Sequence, residues 1–234
     1  MALLFRRRAG LLMFKDEAVE ATPIVQQTLL NLLSVVPPGG VAGSDLRTAC
    51  GLLRANAAQL IYVDQLGPPL SNCFELARTN GITAPQLEWV RKETEHFSPV
   101  TIGATMIKQS IMRLCLVTEG LVIADMTFIS RTDVEAVEKI VNLIFEDAEE
   151  VAADEMDQMS YRGLVELHAA IIAFLVETAR PLPSMLNFSF ATAMPTLTMA
   201  NRLYYDASRA DEMRDENHVV HPVFMRGTGR ALSL

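Results

Sequence analysis

The sequence predicts a mainly α-helical protein, with a multi-helix body followed by a small α+β domain in strand–helix–helix–strand order. Three observations predict it. Half of the 234 residues are hydrophobic while only 6% are aromatic, a mixture rich in Leu, Ala, Val, Ile and Met that suits helix cores better than sandwiches. Apolar residues recur at spacings of three and four through most of residues 15–180, the period of a helix face. Across Pro181-Leu182-Pro183 that texture gives way to short alternating and short helical stretches. A chain of this length can bury one sizeable core, or a main domain with a small appendage. Three segments are expected: an N-terminal arm at 1–14, a helical domain at 15–180 and a small domain at 183–234.

The arm reads MALLFRRRAGLLMF, a basic triplet between two apolar patches. It is too short to bury its own apolar groups, so it is expected to be disordered alone and ordered against another subunit. A first helix is predicted from Lys15 to Val35, stopped by Pro37-Pro38-Gly39-Gly40. Ser44 and Asp45 offer a cap for the next, which continues to about Gln65 before Gly67-Pro68-Pro69. Leu70–Thr79 ends at the helix-stop pair Asn80-Gly81. Thr83 caps a fourth helix that has Pro85 in its first turn and carries Trp89.

Ser98–Phe128 is apolar nearly all round and predicts a central buried helix. Thr132 or Asp133 caps the following helix, whose stripe is Val134, Val137, Ile140, Val141, Ile144, Ala148 and Val151. A further helix, Tyr161–Ala179, places Leu164, Leu167, Ile171, Ile172 and Leu175 on one face. Beyond the prolines, Leu186-Asn187-Phe188-Ser189-Phe190 alternates like a strand, with Leu186, Phe188 and Phe190 on one side. Pro195 opens a short helix through Tyr204, Ser208 caps a second through about Asn217, and Ala231–Leu234 supply a second strand. Two strands alone are marginal in water, so Met199, Leu203, Met213 and Phe224 are expected to cover them.

The formal net charge of −8 argues against a protein that grips phosphates. Arg6-Arg7-Arg8 is the one basic cluster and reads as a solubilising or protein-docking segment. The apolar run after it is too short for a secretory signal. The apolar segment Val100 to Ile129 is broken by Lys108, Arg113, Glu119 and Asp125, so it fails as a membrane span. Cys50, Cys73 and Cys115 lack metal-like spacing and read as small buried hydrophobes made in a reducing cytoplasm.

No constellation selects a chemistry. The acidic run Glu146, Asp147, Glu149, Glu150, Asp154, Glu155 and Asp157 lacks the alternation and central glycine of a calcium loop and reads as a solvated face or docking surface. Glu93-x-x-His96 has no second copy to complete a carboxylate-bridged metal site. His218 and His221 lack a third ligand, and His168 reads as a helix-edge residue with a local partner. Gly227-Thr228-Gly229 lacks the Lys of a phosphate loop and reads as a turn. The expectation is a protein that is no enzyme and takes no cofactor or metal.

The stretch Pro181–Leu234 is the informative one. Its centre, ANRLYYDASRADEMRDEN from Ala200 to Asn217 followed by HVVHPVF from His218 to Phe224, resembles the C-terminal end of the so-called DNA circularisation proteins of Mu-like phages, which are tail components. The resemblance is specific over Pro181–Leu234 and continues loosely from about Val100, with Tyr161-Arg162-Gly163-Leu164 as a landmark. It implies a LysM-like module with Ala200, Leu203 and Tyr204 on the inner face of its first helix. Asp206-Ala207-Ser208 would make the tight link to the next helix, with Asp206 or Ser208 as its cap. Asn217 would take a left-handed conformation after it, and His221-Pro222 would begin the return to the closing strand. The chain departs from that pattern at Tyr205, where such modules carry glycine, and at Val223 and Arg226.

The function implied is that of a structural component of a phage or phage-like tail, at the baseplate or hub around the tube end of a contractile tail. Its partners would be tail tube, hub, sheath or baseplate wedge proteins, with several copies around the tail axis, no nucleic acid and no membrane span. It would be assembled in the host cytoplasm and reside in the virion tail. Candidate contacts are Arg202, Tyr204, Tyr205, Arg209 and Phe224, since aromatic and Arg side chains anchor interfaces, together with Leu3, Leu4, Phe5, Leu11, Leu12 and Phe14 of the arm. The alternative implied by the same plan is a peptidoglycan-binding LysM module acting in entry or lysis, with Tyr205 crowding its groove. A factor that joins DNA ends is a third reading, and it demands a basic surface.

Overall fold

The computed structural model describes residues 14–37 and 39–233. Among them the chain is mainly helical with one small two-stranded sheet. The helices are α1 (Lys15–Val35), α2 (Gly40–Tyr62), α3 (Gly67–Thr79), α4 (Ala84–Glu95), α5 (Ile102–Ala124), α6 (Arg131–Asp154), α7 (Gln158–Ala179), α8 (Thr196–Tyr204) and α9 (Ala210–Glu216). The strands are β1 (Met185–Ser189) and β2 (Thr228–Leu232), and a 3-10 turn at Ala207–Arg209 precedes α9. The contacts divide the chain into two compact units. One contains the described residues up to Met126 with Ile144–Ile171; the other contains Thr127–Leu143 with Ile172 onward. The division runs through α6 and α7, and the Pro181–Pro183 junction falls inside the second unit.

The first unit is built on apolar positions three and four apart. Ile24, Val25, Leu29 and Leu32 of α1 share a core with Leu46, Cys50, Leu53 and Ala57 of α2 and with Leu70, Cys73, Phe74 and Ala77 of α3. Leu87 and Val90 of α4 and Ala104, Ile107, Ile111 and Leu114 of α5 complete it. Burial of each large aliphatic or aromatic side chain contributes roughly 1.5–3 kcal/mol. Thr28 and Thr94 lie inside this core, where their hydroxyls meet at 3.2 Å. Each also donates to the carbonyl four residues earlier, Ile24 and Val90, so burial leaves neither unsatisfied.

Helix ends explain where boundaries moved. Thr83 caps α4 as expected: its backbone N–H donates to Gln86 Oε1 at 2.8 Å while Gln86 Nε2 reaches Val35 O. α2 begins at Gly40, ahead of Ser44-Asp45, and α3 begins at Gly67. α5 is shorter than 98–128 at both ends. Thr101 is its cap, accepting from Ala104 N at 3.4 Å, and Asp125, paired with Arg78, stands just past its last residue. The cap of α6 is Ser130 rather than Thr132 or Asp133. Ser130 N donates to Asp133 Oδ2 and Asp133 N donates to Ser130 Oγ, both at 3.2 Å, a reciprocal capping box. α7 starts at Gln158 rather than Tyr161, because Asp157 accepts from Ser160 N at 3.3 Å.

α7 is long and apolar enough to cross a membrane by length and composition, with 17% of its most apolar window buried.

In the second unit β1 and β2 pair antiparallel, with Met185 opposite Leu232, Phe188 opposite Gly229 and Ser189 opposite Thr228. Both strands start earlier in sequence than expected. Phe188, Met199, Ala200, Tyr204, Met213, Met225 and Ala231 form the core. Leu186 is exposed, so the alternation delivers Phe188 inward but not Leu186. The expected covering residue Phe224 is also exposed and its neighbour Met225 takes the place, held by a bridge to Met194. The cap of the segment after α8 is Asp206, whose Oδ1 accepts from Ser208 N at 2.8 Å; Ser208 itself begins no helix. The left-handed residue after α9 is His218 (φ 50°), not Asn217. Gly227-Thr228-Gly229 runs into β2 rather than forming a turn.

Candidate functional site

The contact candidates of the second unit separate into two groups. Tyr204 is 8% exposed and packs in the core. Arg209 lies over its ring, with the guanidinium carbon 3.7 Å from the centroid, and pairs with Glu212 at 3.0 and 2.7 Å. Burial pushes the Tyr204 phenol up. Both residues are therefore spent inside the unit, the tyrosine because helical spacing puts it four residues after Ala200 on the buried face.

Arg202, Tyr205 and Phe224 remain exposed, Tyr205 at 91% and Phe224 at 75%. Tyr205 closes α8 in the left-handed conformation, φ 57° and ψ 21°, with its N–H on Asn201 O. That conformation places Cβ near the following carbonyl and disfavours every residue but glycine and, less so, Asn or Asp. Beside Phe224, whose ring lies 5.6 Å from that of His221, residues of the 217–228 segment enclose a hollow of about 610 Å³. Val220 on its rim is fully exposed.

Leu3, Leu4, Phe5, Leu11 and Leu12 lie outside the described residues. Phe14 is exposed at the start of α1, its N–H donating to Glu17 Oε2 at 3.1 Å.

The first unit carries a cleft of about 360 Å³ bounded by α4, α5, α6 and α7. Met112, Leu116, Val151 and Leu164 give it apolar walls, and Asp147, Glu150 and Asp154 of α6 line it with carboxylates. Arg113 crosses from α5 to the α6–α7 turn, 3.1 Å from Asp157 and 3.7 Å from Glu155. The acidic run is thus divided: Glu155 and Asp157 are committed to Arg113, and Glu149 shares a 3.0 Å hydrogen bond with His168 Nδ1. The His168 ring stacks on Phe145 at 5.1 Å, the local partner expected of a helix-edge histidine.

Glu93 and His96 sit at the end of α4, and among the described residues no group of three or more His, Cys, Asp or Glu side chains is arranged to hold a metal. All three cysteines are buried and form no disulfide. Cys50 and Cys73 share a hydrogen bond that, with burial, pushes the Cys73 thiol up.

Two arrangements escaped the sequence reading. Glu20 of α1 receives Val100 N at 2.6 Å, Thr101 N at 2.8 Å and the Thr101 hydroxyl, and Glu17 receives Gly103 N at 3.1 Å. Two carboxylates of α1 thereby sit at the N-terminus of α5, where free N–H groups and the helix dipole favour negative charge. The hydrogen bonds from Thr101 and Val100 hold the Glu20 carboxyl below its usual range. Asp16 and Glu17 make an acidic first turn of α1, with Glu20 one turn on, but nothing in these residues names a partner 80 residues away. The second is Glu119, 3% exposed in α5, whose Oε2 has no hydrogen-bond partner. Burial, with Glu88 adding to it against the opposing Arg91, raises its carboxyl to about 8.

Comparison of the chain with protein-family models and with curated proteins finds no match to either.

Proposed function

We propose that the chain is a structural subunit of a phage or phage-like tail, placed at the baseplate or hub around the tube end of a contractile tail. Its C-terminal LysM-like module, from about 183 to 234, docks a neighbouring tail protein. The resemblance over Pro181–Leu234 supports the reading, as does the order β1, α8, turn, α9, β2.

The observation that carries the docking role is Tyr205. A tyrosine in the left-handed region is strained by about 1 kcal/mol or more relative to glycine, and at 91% exposure it gains almost no packing in return. Neither the local backbone nor the core accounts for the residue. A contact surface does, because an exposed aromatic ring three residues after the exposed Arg202 is the chemistry of an interface anchor. Phe224 and Val220 extend the apolar exposure of the unit.

The test is complementation of a knockout with Tyr205→Gly and Phe224→Ala chains. The proposal expects both proteins to fold and accumulate while their incorporation into tails falls at least tenfold. Normal incorporation of both variants would remove the docking role. Retention of the wild-type protein on purified cell-wall sacculi, competed by chitin-type oligomers, would favour the peptidoglycan-binding alternative instead.

A further inference from the structure

We propose that the cleft of the first unit is the receptor for the N-terminal arm of the same molecule, residues 1–13. This differs from the neighbouring subunit expected from the sequence, and it does not rest on the tail reading.

The cleft carries an excess of negative charge. Asp147, Glu150 and Asp154 stand at i, i+3 and i+7 on α6, one face of the helix, where like charges repel. No ion pair among the described residues engages any of the three. The cations that line the same cleft are already committed: Arg91 and Lys92 to Glu88, Arg113 to Glu155 and Asp157. The occupant should therefore be cationic and, because Met112, Leu116, Val151 and Leu164 form the walls, apolar on either side of its charge. The arm has that composition, with Arg6-Arg7-Arg8 between Leu3-Leu4-Phe5 and Leu11-Leu12-Met13.

The point of attachment fits as well. The arm joins α1 at Phe14, and Glu17, one turn on, is hydrogen-bonded to Gly103 at the start of α5. The cleft lies farther along that helix, from Gln109 to Leu116, about 9–20 Å from Gly103 at 1.5 Å per residue. Arg6-Arg7-Arg8 lie six to eight residues before Phe14, so an extended tether carries them about 20–26 Å, enough to reach the cleft. A tether of this length supplies an effective concentration in the millimolar range, far above that of a second copy at micromolar protein.

The test uses the full chain with a photo-crosslinking phenylalanine analogue in place of Phe5, irradiated at about 5 μM protein and mapped by mass spectrometry. The expected products have monomer mass and join the arm to peptides containing 109–116 or 147–154. Their yield should fall at least tenfold in Asp147→Lys/Glu150→Lys/Asp154→Lys, whose changes are all at exposed positions, and at about 0.5 M salt, where the Debye length is only a few ångströms. Arg6→Glu/Arg7→Glu/Arg8→Glu alone, which alters no described residue, should lose the products. Combined with the reversed cleft it should regain them. Products of dimer mass, products mapping elsewhere, no product at all, or a yield indifferent to both charge reversals would each overturn the proposal.

Discussion

The Asn217 side chain grips the backbone of Arg230 on both sides: Arg230 N donates to its Oδ1 at 2.7 Å, and its Nδ2 donates to Arg230 O at 2.8 Å. The same Nδ2 reaches Met213 O at 2.8 Å, so one amide joins the last turn of α9 to the middle of β2. An amide can do this because it carries a donor and an acceptor in one plane. Its sequence neighbour Glu216 adds an ion pair to the Arg230 side chain at 2.8 Å.

Asn217→Ala removes that clamp and is expected to destabilise the second unit by about 1–3 kcal/mol. Hydrogen exchange at the Arg230 amide reads the effect directly. Exchange at the wild-type rate in the variant would show that strand pairing, not Asn217, holds this part of β2.

Gly229 and Gly163 should respond to alanine in opposite directions. A Cβ on Gly229 would stand 2.8 Å from Phe188 Cζ and closer still to Asn217 Oδ1, whereas one on Gly163 meets nothing within 4 Å. Gly229→Ala is expected to lose about 1–3 kcal/mol by overpacking, and Gly163→Ala, inside α7, to gain about 0.5–1 kcal/mol from helix propensity. Chemical denaturation of the two variants beside wild type checks both signs.

These contrasts also mark what was legible in the sequence. α1 was readable from Lys15 to Val35 because an acidic first turn and Pro37 bound a periodic stretch, and α4 because Thr83, Pro85 and Gln86 form a local start signal. The ends of α5 were not, since Val100, Met126 and Phe128 beyond them are apolar like the helix, and Thr101 and Asp125 set the limits through hydrogen bonds and pairing. In the second unit, Phe224 and Met225 are adjacent and apolar, and in a turn no period tells which faces inward. The same ambiguity applied to Tyr204 and Tyr205 as contacts. Helical phase placed Tyr204 inside, but the left-handed backbone at Tyr205 is a property of the fold. The glycine 229 requirement was hidden for a similar reason: it comes from Phe188 and Asn217, both distant in sequence.

Glu119 should make stability fall as pH rises. Its folded pKa of about 8 lies above the ordinary 4.5, so between these values the native state binds more protons than the unfolded chain, and the stabilisation present below about pH 4.5 is lost through about pH 8. The loss amounts to about 5 kcal/mol at most. Glu119→Gln, which has no charge to gain, should flatten the stability–pH curve across that window and exceed wild type most above pH 8. Parallel curves for the two proteins would mean that Glu119 ionises as freely folded as unfolded.

Tyr205→Gly should stabilise the second unit by about 0.5–1 kcal/mol, because glycine adopts φ 57° without steric strain and the lost side chain was almost fully exposed. The gain is visible as a higher denaturation midpoint or slower exchange at the end of α8. A lower midpoint would show that the ring packs on the unit after all.

The proposed role as a building part of a tail is tested most directly by the protein composition of purified particles with and without the gene. The protein is expected in several copies per wild-type tail, and the knockout is expected to yield no complete tails until the chain is restored. Purified tails that lack the protein, together with complete tails from the knockout, would contradict it.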